Sequence, residues 1–221
     1  MSEVAILIPC YNNVKTLSAV VKDFGVHIPS AKIYIYDDGS SDGTNRLVKD
    51  LSRVYNIKLE RFAHIGIGSV IKTMFDRIDS DVYILVSADG QCSAVEVPSM
   101  IRGVEQKDYD MVLGDFLSVK GVSSGRRRSM DNLVRILANN VLHTSFTDVM
   151  TPYRAFSRKF VEGVKIDSIG CEVYAELCAK AAKGGYRVSA VPVKCGYDSL
   201  SAPGYSVSEV AKIVQTLFRL R

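Results

Sequence analysis

The sequence lacks a long hydrophobic run. Its longest apolar stretches, such as residues 4–8 and 82–86, have the length of a β-strand, whereas a membrane-spanning helix needs about 20 apolar residues. The first residues, MSEVAILIPCYNN, also lack the basic start and the small-residue cleavage site of a signal peptide. We therefore expect no membrane span, and we expect a cytoplasmic protein, either free or bound peripherally at the cytoplasmic face of a membrane.

Patterns for disulfides, structural zinc and P-loops are also missing. The five cysteines show no CxxC spacing, and the three histidines lie far apart, so neither a disulfide framework nor a structural zinc site is predicted. No GxxxxGK[ST] motif occurs, which excludes a P-loop. The GIG of residues 66–68 partly matches a dinucleotide fingerprint, but it lacks the third glycine and follows the third strand rather than the first. A nicotinamide oxidoreductase is therefore only a third hypothesis.

The composition is that of a globular domain with a modest positive charge. The chain has 221 residues, 47% of them hydrophobic and 24% charged, and a formal net charge of +4. Basic residues concentrate in GRRRS at 125–129 and in FRLR at the end of the chain. This charge fits an anionic partner but does not require nucleic acid, and we predict no nucleic-acid binding.

Apolar strands alternate with amphipathic helices through the first ninety residues. Strands are predicted near 4–8, where Pro9 ends the strand, and at 33–36, 58–62 and 82–86. The first helix, capped by Asn12 or Asn13, would bury an i, i+3, i+4, i+7 stripe. Later residues predict strands at 109–116, 151–157 and 186–197 and a helix at 171–182. Inward-facing stripes are predicted at Leu17, Val20, Val21, Phe24; Leu47, Val48, Leu51, Val54, Tyr55; Val70, Ile71, Met74, Phe75, Ile78; Met130, Leu133, Val134, Leu137, Val141, Leu142; and Val207, Val210, Ile213, Val214, Leu217, Phe218.

This alternation predicts an α/β fold with a central, mostly parallel sheet flanked by helices, in which ligands bind beyond the carboxyl ends of the strands. The main domain is predicted to span residues 1–200. Residues 201–221 are predicted to form an amphipathic helix that either packs on the domain or lies at a membrane surface.

Polar clusters follow three of the predicted strands: residues 11–13, the pair Asp37 and Asp38, and residues 89–91. In a parallel sheet these clusters would meet at one edge. A carboxylate there can hold Mg²⁺ or Mn²⁺ together with substrate phosphates, and an ionised Asp can accept N–H bonds from a nucleobase. Taken singly, Asp42 is explained as a helix cap and Asp89 as a turn residue before Gly90.

Four motifs in order, IPCYNN, DDGSSDGT, ADGQ and TDVMTPYRAFSRK, resemble an inverting family 2 glycosyltransferase with the GT-A fold. Within that family the chain looks most like the dolichol-phosphate mannose synthases and other polyprenyl-phosphate glycosyltransferases, over about residues 3–197. The resemblance implies a nucleotide-sugar donor (UDP- or GDP-sugar), a polyprenyl or dolichyl phosphate or a glycan as acceptor, and Mg²⁺ or Mn²⁺ as cofactor.

The resemblance also implies roles for individual residues of the donor site. Asp38 would contact the base and Asp37 would orient the turn or the ribose. Asp89 matches the second acid of the family's metal motif, with Gln91 after it. Both would serve the metal, and Asp89 is predicted to be catalytic. Ser87 stands where the first acid is expected, so a catalytically impaired binding or scaffold protein is the alternative function. The predicted donor-site residues are Pro9, Tyr11, Asn13, Asp37, Asp38, Ser87, Ala88, Asp89 and Gln91.

On the acceptor side, Arg126, Arg127 and Arg128 lie where the family has cations for the acceptor phosphate, and Arg127 is predicted to be catalytic. A sugar hydroxyl acceptor would require a base instead, for which Asp148 is the candidate; its alternative role is a loop contact. After the last core strand the family carries an Arg-x-x-G-x-S segment, whereas this chain reads GYDSLSAPGYSVSE. A lipid acceptor would call for peripheral membrane contact or a membrane partner subunit.

Overall fold

The structure, a computed structural model, describes residues 2–117, 126–193 and 205–221, with only the backbone at residues 126 and 127. The elements in chain order are β1 (Val4–Cys10), α1 (Leu17–His27), β2 (Lys32–Asp37), α2 (Thr44–Leu51), β3 (Ile57–Arg61), α3 (Ile67–Arg77), β4 (Val82–Leu85), a 3-10 turn (Ala94–Glu96), α4 (Val97–Glu105), β5 (Met111–Asp115), α5 (Arg126–Leu142), β6 (Arg154–Ser157), α6 (Arg158–Gly163), α7 (Val173–Lys183), β7 (Val188–Pro192) and α8 (Val207–Arg219).

The strands of this described part form one sheet of seven in the order β3-β2-β1-β4-β6-β5-β7. β6 runs antiparallel to both of its neighbours, and the other pairings are parallel. The predicted mostly parallel α/β sheet is confirmed. The carboxyl ends of six strands, together with the amino end of β6, therefore share one side of the sheet, called here the carboxyl edge.

Helices cover both faces of the sheet, so the central strands are buried on both sides. All seven residues of β1 are buried, as is usual for a parallel sheet under two helical layers. One hydrophobic cluster joins the sheet to α3, α5 and α7, and the other joins it to α1, α2 and α4. The sheet can therefore hold its strand ends, and the loops that follow them, in fixed positions.

The predicted helical stripes are confirmed in α1 and α3 and fail in part in α2, α5 and α8. The predicted inward residues of α1 and α3 are all buried. Val54 is 77% exposed because α2 already ends at Leu51. Leu133 of α5 and Val207 and Phe218 of α8 are also exposed. α8 packs on α5 and α7 and buries Ile213 and Leu217.

Two predictions about the first loop are wrong. β1 continues through Pro9 to Cys10. The Leu7 carbonyl accepts the N–H of Val86 on the β4 side, and the Cys10 carbonyl accepts that of Asp38 on the β2 side. The nitrogen of Pro9 faces the β4 side, where the pairing of β1 with β4 has already ended at Leu7. The sheet therefore needs no N–H at this position. α1 begins at Leu17 after Thr16, so Asn12 and Asn13 do not cap it.

No helix in the described parts of the chain is long and apolar enough to span a membrane.

Candidate functional site

The loops after β1 and β2 are joined by hydrogen bonds. The Asn12 N–H donates to Ser40 Oγ (2.8 Å), and the Ser41 N–H donates back to Asn12 Oδ1 (2.9 Å). The Asn13 N–H donates to Thr44 Oγ1 (3.0 Å). Asn12 adopts a left-handed conformation with φ of 55°, which asparagine tolerates better than most residues. The two loops thus form a single rigid piece of the carboxyl edge.

Asp42 holds both of these loops as well as the start of α2. Its Oδ1 accepts from the N–H and the hydroxyl of Thr44, at 3.0 and 2.6 Å, and its Oδ2 accepts the N–H of Val14 (3.0 Å). Burial acts to raise the pKa of this carboxyl, but the bonds from Thr44 and Val14 outweigh it and hold the pKa below its usual value. The cap role foreseen for Asp42 therefore accounts for only part of its contacts.

Asp37 is fully buried under the turn that follows β2. Its Oδ1 accepts the N–H of Ser40 (2.9 Å), and its Oδ2 lies 3.6 Å from Arg61 Nε. The guanidinium of Arg61 also donates to the Ser40 carbonyl (2.9 Å). Asp37 therefore supports the turn from below, and a contact to the ribose stays a prediction.

Asp38 joins the loop after β2 to the loop after β3. Its Oδ1 accepts the N–H of Ile65 (2.6 Å) and its Oδ2 that of Gly66 (3.0 Å). His64 Nδ1 lies 3.3 Å from the same Oδ2. Backbone N–H groups thus use one acceptor position on each oxygen. Base recognition by Asp38 stays a prediction, and it would have to use the remaining lone pairs.

Tyr11 and His64 form an exposed aromatic surface at the carboxyl edge. Tyr11 is 47% exposed, and the centroid of its ring lies 4.3 Å from that of the His64 imidazole, with the rings tilted by 32°. A flat ring surface of this kind can stack on a nucleobase. The sequence pattern missed His64, and the only available signal was its place in the loop directly after a parallel strand.

The glycines of the partial dinucleotide fingerprint serve packing. A Cβ on Gly66 would lie 2.6 Å from the Ile169 carbonyl oxygen, and one on Gly68 would lie 2.3 Å from that of Ser168. The Gly68 N–H donates to the Ile169 carbonyl at 2.7 Å. The start of α3 is therefore pressed against the 168–170 turn, and this close packing accounts for both glycines without a dinucleotide.

Asp89 lies in the turn after β4, facing the loop after β1. Its Oδ1 accepts the N–H of Gln91 (3.0 Å), and Ser87 Oγ accepts the N–H of Asp89 (3.4 Å). The Thr16 hydroxyl donates to the Ala88 carbonyl (2.7 Å) and ties this turn to the first loop. The predicted turn role of Asp89 is thus present, and its second carboxylate oxygen is not used by that turn.

The described residues contain no group of three or more His, Cys, Asp or Glu side chains that could hold a metal by themselves. Mg²⁺, however, is commonly held by one or two carboxylates, with substrate phosphates and water as the other ligands. Asp89 supplies such a carboxylate at the open edge of the sheet. The donor set therefore fits a divalent ion that arrives with a diphosphate.

Asp148 begins the turn that leads into β6. It is 4% exposed, and its Oδ1 accepts the N–H groups of Met150 (3.1 Å) and Thr151 (3.0 Å). Burial, with the nearby charges of Asp131 and Asp115, raises the pKa of Asp148 from 3.8 to about 7, against the opposing effects of the Met150 N–H and the Arg154 charge. The group can therefore change protonation state near neutral pH.

Arg154 is fully buried beneath this turn. Its Nε donates to the Thr151 carbonyl (2.9 Å) and its Nη2 to the Val149 carbonyl (2.7 Å). The guanidinium lies 5.5 Å from the centroid of the Tyr174 ring. The charge of Asp89 in turn helps to raise the pKa of the Tyr174 hydroxyl, although burial is the larger cause and Arg154 acts against it. Tyr174, which the sequence pattern did not indicate, therefore lies within electrostatic reach of both Asp89 and Arg154 of the fourth motif.

Arg128 reaches the end of β5. Its Nη2 donates to the Leu117 carbonyl (2.9 Å), and the Leu117 N–H donates to Asp115 Oδ1 (3.0 Å). Arg126 and Arg127 form the start of α5, and their side chains lie outside the described part of the structure. The segment that replaces the expected Arg-x-x-G-x-S pattern also lies mostly outside it, since residues 194–204 are not described.

The sequence model of a protein family described as Glycosyl transferase family 2 matches residues 5–164. The chain is 36% identical to Protein RfbJ of Shigella flexneri over 112 residues, which cover 50% of this chain and 83% of that protein. It is 25% identical to a polyprenol monophosphomannose synthase of Mycolicibacterium smegmatis over 202 residues, which cover 85% of this chain and 75% of that protein.

Among solved structures, the chain resembles glucosyl-3-phosphoglycerate synthase from Mycobacterium tuberculosis in complex with Mn²⁺, UDP and phosphoglyceric acid. The TM-score is 0.78 at 13% identity, and the match covers 99% of this chain and 78% of that one. This likeness confirms the GT-A fold.

Proposed function

Because the chain belongs to glycosyl transferase family 2, we propose that it is an inverting enzyme that moves a sugar from a UDP- or GDP-sugar to a polyprenyl or dolichyl phosphate. One observation carries the proposal. The exposed ring of Tyr11 and the carboxylates of Asp38, Asp89 and Asp148 come from four separate motifs, yet all lie in loops at the carboxyl edge. The similarity to a polyprenol monophosphomannose synthase supports the choice of acceptor.

For the donor, we propose that the base stacks on Tyr11, with Asp38 and Asn13 beside it and Pro9 beneath the pocket. Asp89, with Gln91 and Ser87 next to it, would hold Mg²⁺ or Mn²⁺ against the diphosphate. When bound, the ion supplies positive charge that makes the nucleoside diphosphate a better leaving group. The hydrogen bonds of Asp89 within its own turn support this role, because they fix the carboxylate before the substrate arrives.

For the acceptor, a phosphate monoester is already largely ionised near pH 7. One of its oxygens would form the new bond to the anomeric carbon while the bond to the departing diphosphate breaks on the opposite face, which inverts the configuration. No protein base is needed, so the enzyme contributes positioning and charge. We assign the positive charge to Arg126, Arg127 and Arg128, since guanidinium groups match phosphate geometry.

A glycan acceptor is the second candidate, and Asp148 is the residue that favours it. A sugar hydroxyl must lose a proton during transfer, and a carboxylate with a pKa of about 7 is well matched to a general base. Against this role, Asp148 Oδ1 is already used by the N–H groups of Met150 and Thr151. We therefore favour a lipid phosphate.

A catalytically impaired binding or scaffold protein is the remaining alternative, and Ser87 motivates it. Serine replaces one carboxylate of the expected metal motif, and Ser87 Oγ accepts a long hydrogen bond from Asp89. A single carboxylate still fits an ion that is mostly held by substrate phosphates and water.

A lipid acceptor would be reached at a membrane surface. We propose contact either through α8, where Phe218 is exposed beside Arg219, or through a membrane partner subunit.

Two measurements test the proposal. Calorimetric titration with UDP and with GDP, each with and without Mn²⁺, should show metal-dependent binding of one nucleotide. Incubation with the matching sugar nucleotides and a polyprenyl phosphate should then give a product whose anomeric configuration, read by NMR, is inverted. Absence of binding for both nucleotides at millimolar concentration would overturn the donor assignment. If a nucleotide binds but neither sugar transfer nor slow hydrolysis of the sugar nucleotide is detected, the scaffold alternative is favoured.

A further inference from the structure

A cavity of about 360 Å³ lies between β5, β7, the carboxyl end of α7 and the loop that follows α5. Its volume is within the usual range for a small-molecule site. Loop residues 144–147 form one wall and end directly before Asp148. The cavity is thus separate from the donor loops around Tyr11 and Asp89 but adjoins the turn that holds Asp148.

The floor of this cavity is apolar. Leu113 of β5 faces it with Val188 and Ala190 of β7, and these three side chains pack on the same side of the sheet. Phe146 and Ala182 close it from the loop and from α7. Ser189 pairs with Val112, and residues paired across two strands direct their side chains to the same face of the sheet. Val112 packs in the cluster on the opposite face, so the Ser189 side chain points away from the cavity. The floor of the cavity therefore offers a hydrocarbon surface.

The polar side chains that line the cavity carry hydroxyls, and beside Ser189 they are Thr144, Ser145, Thr147 and Tyr186. None of the lining side chains that the structure describes is charged. Thr144 Oγ1 donates to Asn139 Oδ1 (3.0 Å), whereas Thr147 Oγ1 is buried and makes no hydrogen bond within the described residues. A sugar ring would bring more hydroxyls than these side chains can pair, and each hydroxyl left without a partner is costly in a buried site. A hydrocarbon has no such requirement.

Positive charge lies close to one end of the cavity. Leu113 is two residues before the end of β5, and Arg128 bonds to the carbonyl of Leu117 just beyond it. At about 3.3 Å per strand residue, the apolar floor lies on the order of 10 Å from that guanidinium. An amphiphile with a phosphate head and a hydrocarbon tail has these two parts in the same order.

We propose that this cavity binds the hydrocarbon chain next to the phosphate of a lipid monophosphate acceptor, with the phosphate at Arg128. The inference rests on the proposed function, since it concerns the acceptor of the same reaction. It predicts that the enzyme recognises the first part of the lipid chain as well as the phosphate. Affinity should then depend on chain length until the cavity is filled.

Binding of a series of prenyl phosphates tests this directly. Dimethylallyl, geranyl and farnesyl phosphate, with 5, 10 and 15 carbons, would be titrated below their aggregation concentrations in the presence of the nucleoside diphosphate that binds. Because each buried methylene contributes substantially to transfer out of water, affinity should rise at least about tenfold from the first to the second compound. Equal affinity across the series would overturn the proposal. Displacement of the prenyl phosphates by a free hexose would also overturn it.

Variants that fill the cavity give a second readout. Ala190→Leu on β7 and Ala182→Leu on α7 should remove most of the gain with chain length, while the affinity for dimethylallyl phosphate and for the nucleotide stays close to the parent value. Ala211→Leu, at an exposed position of α8, is the matched control and should keep the gain. Thermal unfolding confirms that each variant folds, and retention of the gain in both folded cavity variants contradicts the proposal.

The outcome for the cavity can be separated from the outcome for the proposed function. If neither nucleotide binds but the chain-length dependence and its loss in Ala190→Leu are observed, the cavity assignment holds and the donor assignment fails. If a nucleotide binds and sugar transfer occurs equally to acceptors with and without a hydrocarbon chain, the proposed function holds and the cavity assignment fails.

Discussion

The carboxylate of Asp38 accepts a 2.6 Å hydrogen bond from the backbone N–H of Ile65. The bond joins loops that follow two neighbouring strands, and the other oxygen of Asp38 holds the next N–H in the same way. Asp38 is therefore needed for the shape of the edge on which we place the nucleobase. Any direct contact it makes to the base comes in addition to this structural role.

Asp38→Ala should lower both stability and nucleotide affinity. Two partly buried N–H groups lose their acceptor, so we expect the free energy of unfolding to fall by about 1 to 3 kcal/mol, measured by urea denaturation. Nucleotide affinity, measured by calorimetry, should drop because the Tyr11 and His64 surface loses its support. Asp50→Ala, on the exposed side of α2, is the control. Unchanged stability with lost binding would assign Asp38 to base contact alone.

Asp89→Asn should remove the metal dependence of nucleotide binding. The amide keeps an acceptor for the Gln91 N–H but loses the negative charge that attracts a divalent ion. We expect the affinity gain that Mn²⁺ gives the parent to vanish, while metal-free affinity changes less than about threefold. Glu105→Gln, an exposed loss of the same charge at the end of α4, should behave like the parent. A full Mn²⁺ effect in Asp89→Asn would take the metal role away from this residue.

Asp148→Asn should stabilise the protein in a pH-dependent way. The pKa of Asp148 is raised on folding, from 3.8 to about 7. The folded state therefore binds more protons than the unfolded state within that window, and stability falls as pH rises through it. Asparagine does not ionise and can still accept the two turn N–H bonds. At pH 8 the free energy of unfolding of the variant should exceed that of the parent by at most an amount on the order of 4 kcal/mol. Near pH 4 the two values should be almost equal.

Urea denaturation at pH 4, 6 and 8 checks this expectation, with Glu105→Gln as the control for loss of a surface charge. A stability difference that stays constant over the three pH values would show that Asp148 does not titrate in this window.

Gly68→Ala should destabilise the contact between α3 and the 168–170 turn. The added Cβ would lie 2.3 Å from the Ser168 carbonyl oxygen, so the backbone must move. We expect a loss of about 1 to 3 kcal/mol in unfolding free energy and weaker nucleotide binding, because the same segment holds the N–H groups that bind Asp38. Ser69→Ala, at the next residue of α3, is the control and tests whether any substitution in the first turn of this helix has the same effect. Parent-like stability of Gly68→Ala would show that the contact is loose.

The sequence pattern was sufficient where one physical cause acts locally. The stripes of α1 and α3 were predictable because a helix on a flat sheet buries residues at a 3.6-residue period. The pattern failed at Val54 and Leu133, where exposure depends on where a helix ends and on what packs beside it. It also failed to give the direction of β6, because a short apolar strand reads alike in either direction.

Within the candidate site, the sequence determined which residue types follow the strands, and the order of the four motifs indicated the family. Only the tertiary structure decided what those side chains contact. The carboxylate of Asp37 holds the turn after β2, and that of Asp38 joins two loops. Gly66 and Gly68 serve a close backbone contact, and Arg154 is buried under the Asp148 turn. These contacts join residues far apart in the chain, so they depend on the strand order of the sheet and cannot be read from local spacing.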